Sequence, residues 1–398
     1  MSSSRKQGMS ILLISPQPFY EDRGTPIAVR DTLVALTKLG FNVDVATFPV
    51  GRDLEISGVR IVRTTNLFHF HSVPIGFSIR KIMLDICLLI TVLRLIRKNE
   101  YVCIHGVEEG AAIALFCKAF LSIPVIYDMQ SSMPEQLRKV RIFRSAFGRW
   151  LSMMFERKLV RGSNLVIASR GLAPHVRLIQ PRKRVWECSF EGFTPRPKDM
   201  SLEMRLGIDG RPTIVYTGNF APYQGLDLIL DAAILVREKL PEVAFVLVGG
   251  TESEINYFSK LIKHLDLVNT VKLFHRQPRE SIPDYLALAD ALILARPNGK
   301  NAPLKLFDYL KSGKPLVVTD IPGHRAVLCE KTCILVAPEA KSLANGILFT
   351  LQNLDEVRTM MQADSWISRT GTDKTLFDTI AEVYSEVIEI GNERAESK

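Results

Sequence analysis

The residues with most chemical content lie between positions 298 and 320. There Asn298, Gly299, Lys300, Asn301, Ala302, Pro303, Leu304, Lys305 and Asp308 are followed by Gly313 and an apolar run that ends at Asp320. The order reads as loop, helix, glycine stop and strand. A helix opened by 301–303 turns its free backbone N–H groups and the positive end of its dipole toward the loop, which suits a phosphate. Pro303 and Leu304 mark that opening, Lys305 adds a mobile cation, and Asp308 one turn later can accept hydrogen bonds from paired ribose hydroxyls. A plain helix with Gly313 at its C′ position uses the same letters.

Further candidates recur where a strand gives way to a turn. Gly218, Asn219, Gln224 and Gly225 follow the run 213–217, and Gly249-Gly250 follows 244–248; such glycines let backbone approach a ligand, and ordinary turns also use them. Gly24 precedes Thr25 and Pro26, a pair that suits an N-cap and first helical position. His105, Glu108 and Glu109 close another strand, and either carboxylate could bind or deprotonate an acceptor hydroxyl or simply face a helix N-terminus. Gln130 sits in the loop after the next strand, with Ser132 as a capping candidate before Pro134.

These positions require a scaffold of alternating strands and helices. Strand patterns fall at 11–15, 43–47, 59–63, 102–105, 125–128, 165–169 and 184–187, with helical patterns at 27–39, 82–97, 110–120 and 135–161. After a Pro- and Gly-bearing segment come strands at 213–217, 244–249, 271–274, 291–295, 315–319 and 333–336. Helical patterns at 226–239, 253–266, 281–289, 304–312 and 341–351 separate them. The alternation predicts an α/β protein of two tandem doubly wound, Rossmann-like domains, with ligands at the carboxyl ends of the strands. The expected parts are 1–190, a linker at 191–212, 213–365, and a terminal helix in 366–398 packing back toward the first domain.

A chain of 398 residues with 47% hydrophobic and 23% charged residues is long enough for two cores and far from a disordered composition. Its six cysteines show no metal-ligand or redox spacing, so reduced thiols, no bound metal and a cytoplasmic setting are expected. The apolar window 82–96 holds Asp85 and Arg94 and is shorter than the roughly 20 residues that span a bilayer, so it is read as a buried helix.

Charge is divided unevenly: residues 1–190 carry 27 Lys and Arg against 14 Asp and Glu, and the remainder carries 24 against 28. Much of the excess lies in 136–161, where Arg138, Lys139, Arg141, Arg144 and Arg149 alternate with Phe143, Phe147 and Trp150. Such a stretch suits peripheral contact with an anionic membrane, or a core helix with a basic solvated face. No helix-turn-helix, zinc-finger or RNA-recognition pattern accompanies it, so nucleic acid is not expected.

The stretches 303–325 and 216–227 resemble the donor-binding region of glycosyltransferase family 4, and the likeness extends more loosely over the chain. It implies a GT-B fold, two Rossmann-like domains facing a central cleft, and retaining, metal-independent transfer of a sugar from a UDP- or GDP-linked donor. The acceptor is then a glycan or a lipid-linked molecule, and no cofactor is needed. The second of the family's two acidic donor-site positions falls on Asp308 and the first on Lys300. The family's two diphosphate-neutralising cations fall on Asn219 and Gln224, leaving Lys305, Lys300 and Arg296 as nearby replacements. Gly24 matches a loop that approaches the transferred phosphate, and Gly249 a turn near the nucleotide base. Val107 stands where a family histidine is frequent, which passes the acceptor role to Glu108 or Glu109, with His105 on the acceptor side and Gln130 in a loop that matches an acceptor-side one. Two rivals carry the same motifs: a GT-B nucleotide-sugar epimerase, and a noncatalytic sugar-nucleotide-binding or membrane-scaffold protein.

Overall fold

The computed structural model describes residues 8–21, 24–67, 69–73, 78–137, 140–169, 172–181, 183–188, 195–300, 302–363 and 376–396. Two compact units account for the chain, Met1–Ser189 with Lys374–Lys398, and Phe190–Asp373.

Unit 1 is built on strands β1 (Ser10–Ser15), β2 (Asn42–Thr47), β3 (Val59–Arg63), β4 (Cys103–Val107), β5 (Val125–Met129), β6 (Leu165–Ser169) and β7 (Val185–Cys188). They form one sheet in the order β3-β2-β1-β4-β5-β6-β7. Every pairing is parallel. Its helices are α1 (Gly24–Lys38), α2 (Ile79–Lys98), α3 (Gly110–Lys118), α4 (Met133–Leu137), α5 (Ala146–Gly162) and α6 (Ala173–Ile179), joined by a last helix, Leu376–Glu396. Helices cover both faces, so β4 and β5 are buried along their whole length and read as continuous apolar runs rather than alternating ones. On one face Leu33 and Leu36 of α1 and Ile380 and Val383 of the last helix pack against Ile11 and Leu13. On the other, Leu84, Leu88 and Val92 of α2 pack against Leu12 and Ile14.

Unit 2 carries β8 (Thr213–Thr217), β9 (Ala244–Gly250), β10 (Val271–His275), β11 (Ala291–Leu294), β12 (Leu316–Thr319) and β13 (Ile334–Val336). The order is β10-β9-β8-β11-β12-β13, again all parallel. Around it lie α7 (Met200–Leu206), α8 (Leu226–Lys239), α9 (Glu252–His264), α10 (Ile282–Ala287), α11 (Lys305–Ser312), α12 (Pro322–Arg325), α13 (Ala340–Gln352) and α14 (Leu354–Ala363). In each unit the chain leaves two adjacent central strands in opposite directions, β1 and β4 or β8 and β11. The carboxyl ends of such strand pairs open a crevice for ligands.

Four sequence expectations need correction. The single helix read at 135–161 is broken into α4, a 3-10 turn at Arg141–Arg144 and α5. The restart is explained by Ser145, whose backbone is extended and whose Oγ accepts from Gly148 N at 3.0 Å, an N-cap in mid-pattern. Arg138 and Lys139 of that stretch lie outside the described residues. The window 82–96 is buried on one face only; Ile82, Ile86 and Ile90 are exposed along the other. Within 191–212, Asp199 caps α7, so part of the segment read as linker is a helix packed on the core through Leu202. Finally, α1 already includes Gly24, which places Thr25 inside the helix rather than at its cap.

Candidate functional site

The crevice of unit 2 opens beyond the ends of β8 and β11. From β8 the loop runs through Gly218, Asn219 and a 3-10 turn, Pro222–Gln224, and from β11 it passes Arg296 before α11 begins at Lys305. Gln224 is buried and is where these segments meet. Its Oε1 accepts from Lys305 Nζ at 3.3 Å and from Arg296 Nε at 3.2 Å, while its Nε2 donates to Asn219 Oδ1 at 3.3 Å. Each cation also lies over an aromatic ring. Lys305 Nζ is 4.0 Å from the Tyr216 ring centroid, with a 2.8 Å hydrogen bond to its hydroxyl, and the Arg296 guanidinium is 5.4 Å from that of Tyr223. Burial first, and then the nearby Arg296 charge, hold the Lys305 pKa well below the usual lysine range. Among the described residues no carboxylate is hydrogen-bonded to Lys305 or Arg296, an arrangement that can accept an anion.

Two glycines make this gathering possible. Gly218 has φ +133°, and a Cβ there would overlap the Lys305 ammonium. A Cβ on Gly249, at φ +128°, would overlap the Gly218 carbonyl. Close backbone packing therefore accounts for Gly249 without a ligand.

Asn219 and Gln224 stand where the resemblance puts two cations, and as amides they bring hydrogen bonds without charge. In the structure they are scaffold: Asn219 joins Tyr223, Ala221 and Gln224, and Gln224 holds the two cations. Pro303 is buried and Leu304 half-buried at the start of α11, their carbonyls accepting from Leu306 and Phe307. Lys300 and Asn298 are exposed, and Asn301 lies outside the described residues.

Asp308 is buried, and its carboxylate takes both hydrogen bonds of a fork from Arg279, each 3.0 Å. Burial raises its pKa, and Arg279 opposes the rise. Sequence reasoning missed Arg279, which is 29 residues away in a turn after β10, and no local pattern links the two. It also missed His324, fully buried behind Arg296, whose Nδ1 is 2.7 Å from the Thr319 carbonyl. A carbonyl only accepts, so Nδ1 carries the proton, and burial lowers the pKa to about 4, keeping the ring neutral.

In unit 1 the corresponding strand ends hold carboxylates. Glu108 directly follows β4 with φ +51°, an uncommon conformation for a side-chain-bearing residue that marks positions held by their surroundings. Its Oε1 accepts from Ser131 at 2.9 Å and its Oε2 from Gln136 at 3.4 Å. Burial and then Glu109 push its pKa up to about 8. Glu109 pairs with Lys81 of α2, and Gln130 donates to Asp128 at 2.7 Å. His105 must be withdrawn from the acceptor side: it is fully buried, with Nδ1 2.6 Å from Tyr384 of the last helix and Nε2 3.4 Å from Asp128. Gly24 starts α1 with open space where a Cβ would stand. Among the described residues no group of three His, Cys, Asp or Glu has the geometry to hold a metal ion.

Residues 203–364 match the family model Glycosyl transferases group 1. This group 1 segment contains Gly218, Gln224, Arg296, Lys305 and Asp308. The chain is 22% identical over 249 residues to an alpha-D-kanosaminyltransferase of Streptomyces kanamyceticus, covering 59% of this chain and 64% of that protein. It is 25% identical over 264 residues to a mannosylfructose-phosphate synthase of Agrobacterium fabrum, covering 57% and 56%. The chain thus spans somewhat under two thirds of the length of these relatives. Among solved structures, sucrose-phosphate synthase from Thermosynechococcus elongatus superposes with a TM-score of 0.76 at 18% identity, over 96% of this chain and 99% of that one. Anabaena HepE in complex with UDP and glucose gives 0.70 at 17%, over 95% and 99%. The fold is that of GT-B glycosyltransferases, two parallel-sheet α/β domains.

Proposed function

We propose that the protein is a glycosyltransferase that moves a sugar from a nucleotide-sugar donor held by unit 2 to an acceptor hydroxyl held by unit 1. The observation that carries this reading is the convergence of Lys305 and Arg296 on Gln224 at the strand ends of the group 1 segment. Breaking a glycosidic bond to a diphosphate leaves extra negative charge on the departing oxygen. Preorganised cations facing that charge stabilise the transition state more than the ground state. Tyr216 and Tyr223 keep both cations in place, so little reorganisation accompanies bond breaking.

The finer points of the reading are a UDP- or GDP-linked donor, retention at the anomeric carbon, and independence of metal and cofactor. Retention fits a same-face reaction in which the leaving diphosphate takes the acceptor proton, for which this chain supplies positioning and charge. Asp308 contacts the donor ribose through carboxylate lone pairs that Arg279 leaves free. Glu108 orients the acceptor hydroxyl by accepting its hydrogen bond. The acceptor is a glycan or a lipid-linked molecule, reached from the cytoplasmic leaflet through the basic face of unit 1. No helix among the described residues is long and apolar enough to cross a membrane.

The test begins with a thermal-shift screen of UDP- and GDP-sugars, because a ligand that binds only the native state raises Tm. Donors that do so are then incubated with glycan and lipid-linked acceptors, and nucleoside diphosphate release and product anomeric configuration are measured. Donor binding with acceptor-dependent release is expected. A donor isomerised without acceptor would replace this reading with an epimerase, and binding without turnover would replace it with a noncatalytic module.

A further inference from the structure

Beside Glu108 and Glu109, unit 1 contains a cavity of about 360 Å³ between α2, α4 and α5. This lies within the roughly 300–1,000 Å³ typical of organic-ligand pockets. Its walls are Ile82 from α2, Leu137 from α4, and Leu151, Met154 and Phe155 from α5. Lys81, Asp85 and Glu109 make a charged end of the lining, and Gln136, Ser152 and Lys158 add further polar groups to it. Glu109 is paired with Lys81, but Asp85 Oδ1 is buried with no hydrogen-bond partner. A buried carboxyl oxygen without a donor is costly, so an occupant bringing a hydroxyl to that end would satisfy it.

The mouth of the cavity indicates where such an occupant comes from. Ile82, Leu151 and Phe155 line the cavity and are also exposed at its lip. Apolar stripes extend outward from them, Ile79, Ile86 and Ile90 along α2, and Phe147 stacked on Trp150 along α5 at 5.8 Å. Arg144, Arg149, Arg157 and Arg161 are exposed around the second stripe. Scattered exposed apolar residues need no explanation, but two stripes meeting at an apolar cavity do. Apolar anchors interleaved with cations match an anionic bilayer interface in both respects. This charge complementarity selects a lipid over an uncharged soluble partner.

We infer that this cavity holds the head-proximal part of the aliphatic chain of a lipid-linked acceptor, while the stripes rest in the leaflet. The chain lies along Leu137, Met154 and Phe155, and the hydroxyl-bearing head meets Asp85, Glu109 and Glu108. The inference rests on the transferase reading only in naming the head group as the acceptor.

The test uses the full chain and a dansyl-labelled undecanoate as probe. A saturable fluorescence rise is expected, competed by monomeric dodecyl glucoside and not by glucose. Met154→Trp, which fills the cavity, should weaken probe binding by about tenfold or more. Phe147→Gln with Trp150→Gln, outside the cavity, should retain probe binding yet lose co-sedimentation with phosphatidylglycerol vesicles. Absence of saturable binding by the parent, competition by glucose, or unchanged affinity in folded Met154→Trp would overturn the inference. If Met154→Trp does not fold, Leu151→Asp at the lip takes its place, and unchanged affinity there is equally decisive. Nucleotide-sugar thermal shifts are recorded on the same samples. A donor response without chain binding removes this inference alone, and chain binding without a donor response removes the transferase reading alone.

Discussion

Lys305→Gln removes one of the two charges that meet Gln224 while keeping a side chain of similar length. Losing a preorganised group of this kind lowers kcat by about 100-fold or more, and steady-state kinetics should show that fall with little change in urea midpoint. The same lysine predicts a pH effect. Its ammonium is held well below the ordinary 10.5, so the neutral form appears at lower pH than in a free lysine. Donor affinity should therefore fall as pH rises, and calorimetry in buffers of different ionisation heat should detect proton uptake on donor binding, absent in Lys305→Gln. The folded chain binds fewer protons than the unfolded one in that window, so this residue makes stability rise with pH there.

Glu108 carries the opposite sign. With its pKa raised from 4.5 to about 8, it gives stability that is complete below the ordinary glutamate value and lost as pH rises through about 8. Because the ionised carboxylate is the better acceptor for the acceptor's hydroxyl, kcat/KM should climb through the same region, and Glu108→Gln should flatten the climb. Asp308→Ala should weaken donor binding at least tenfold, about 1.4 kcal/mol, in equilibrium titration, whereas Arg279→Gln should chiefly cost stability.

At the scale of elements, the strands were legible because buried parallel strands are short apolar runs and the turns after them bear glycine. The break within 135–161 was not, because Ser145 resembles any polar residue on a helical face until its Oγ caps Gly148. Ser145→Ala should accordingly cost about 1 kcal/mol in urea unfolding. The cations at Gln224 were legible as candidates, since Arg296 and Lys305 flank one loop. Their convergence was not, since it depends on the Gly218 turn, 87 residues before Lys305. The Arg279–Asp308 fork and the burial of His105 under Tyr384 are tertiary contacts between distant segments, which no local pattern encodes. Tyr384→Phe leaves His105 Nδ1 unpaired in the core and should cost about 1–3 kcal/mol by the same measurement.

For the whole molecule, the membrane contact proposed above draws on the uneven charge. Each cation near an anionic leaflet contributes about 1 kcal/mol, so Arg149, Arg157, Lys158 and Arg161 together can hold the protein there. Co-sedimentation with anionic vesicles should weaken with added salt and with those four residues changed to Gln, because screening acts on exposed charge. Equal sedimentation on neutral and anionic vesicles would assign the attachment to something other than this face.

The path of the chain also orders its synthesis. Unit 1 is interrupted after Ser189 and receives its last helix only from Leu376 onward, yet Ile380 and Val383 of that helix belong to its core. At roughly 5–20 residues per second, a nascent unit 1 waits on the order of 10–40 s on the ribosome with that face uncovered, while the whole of unit 2 is made. The usual order, with the amino-terminal domain finished first, is reversed here. A message truncated just before Leu376 would release a chain whose second unit is whole and whose first exposes Leu33, Leu36 and Ile126 to chaperones and proteases. Limited proteolysis of that product should leave unit 2 as the surviving fragment.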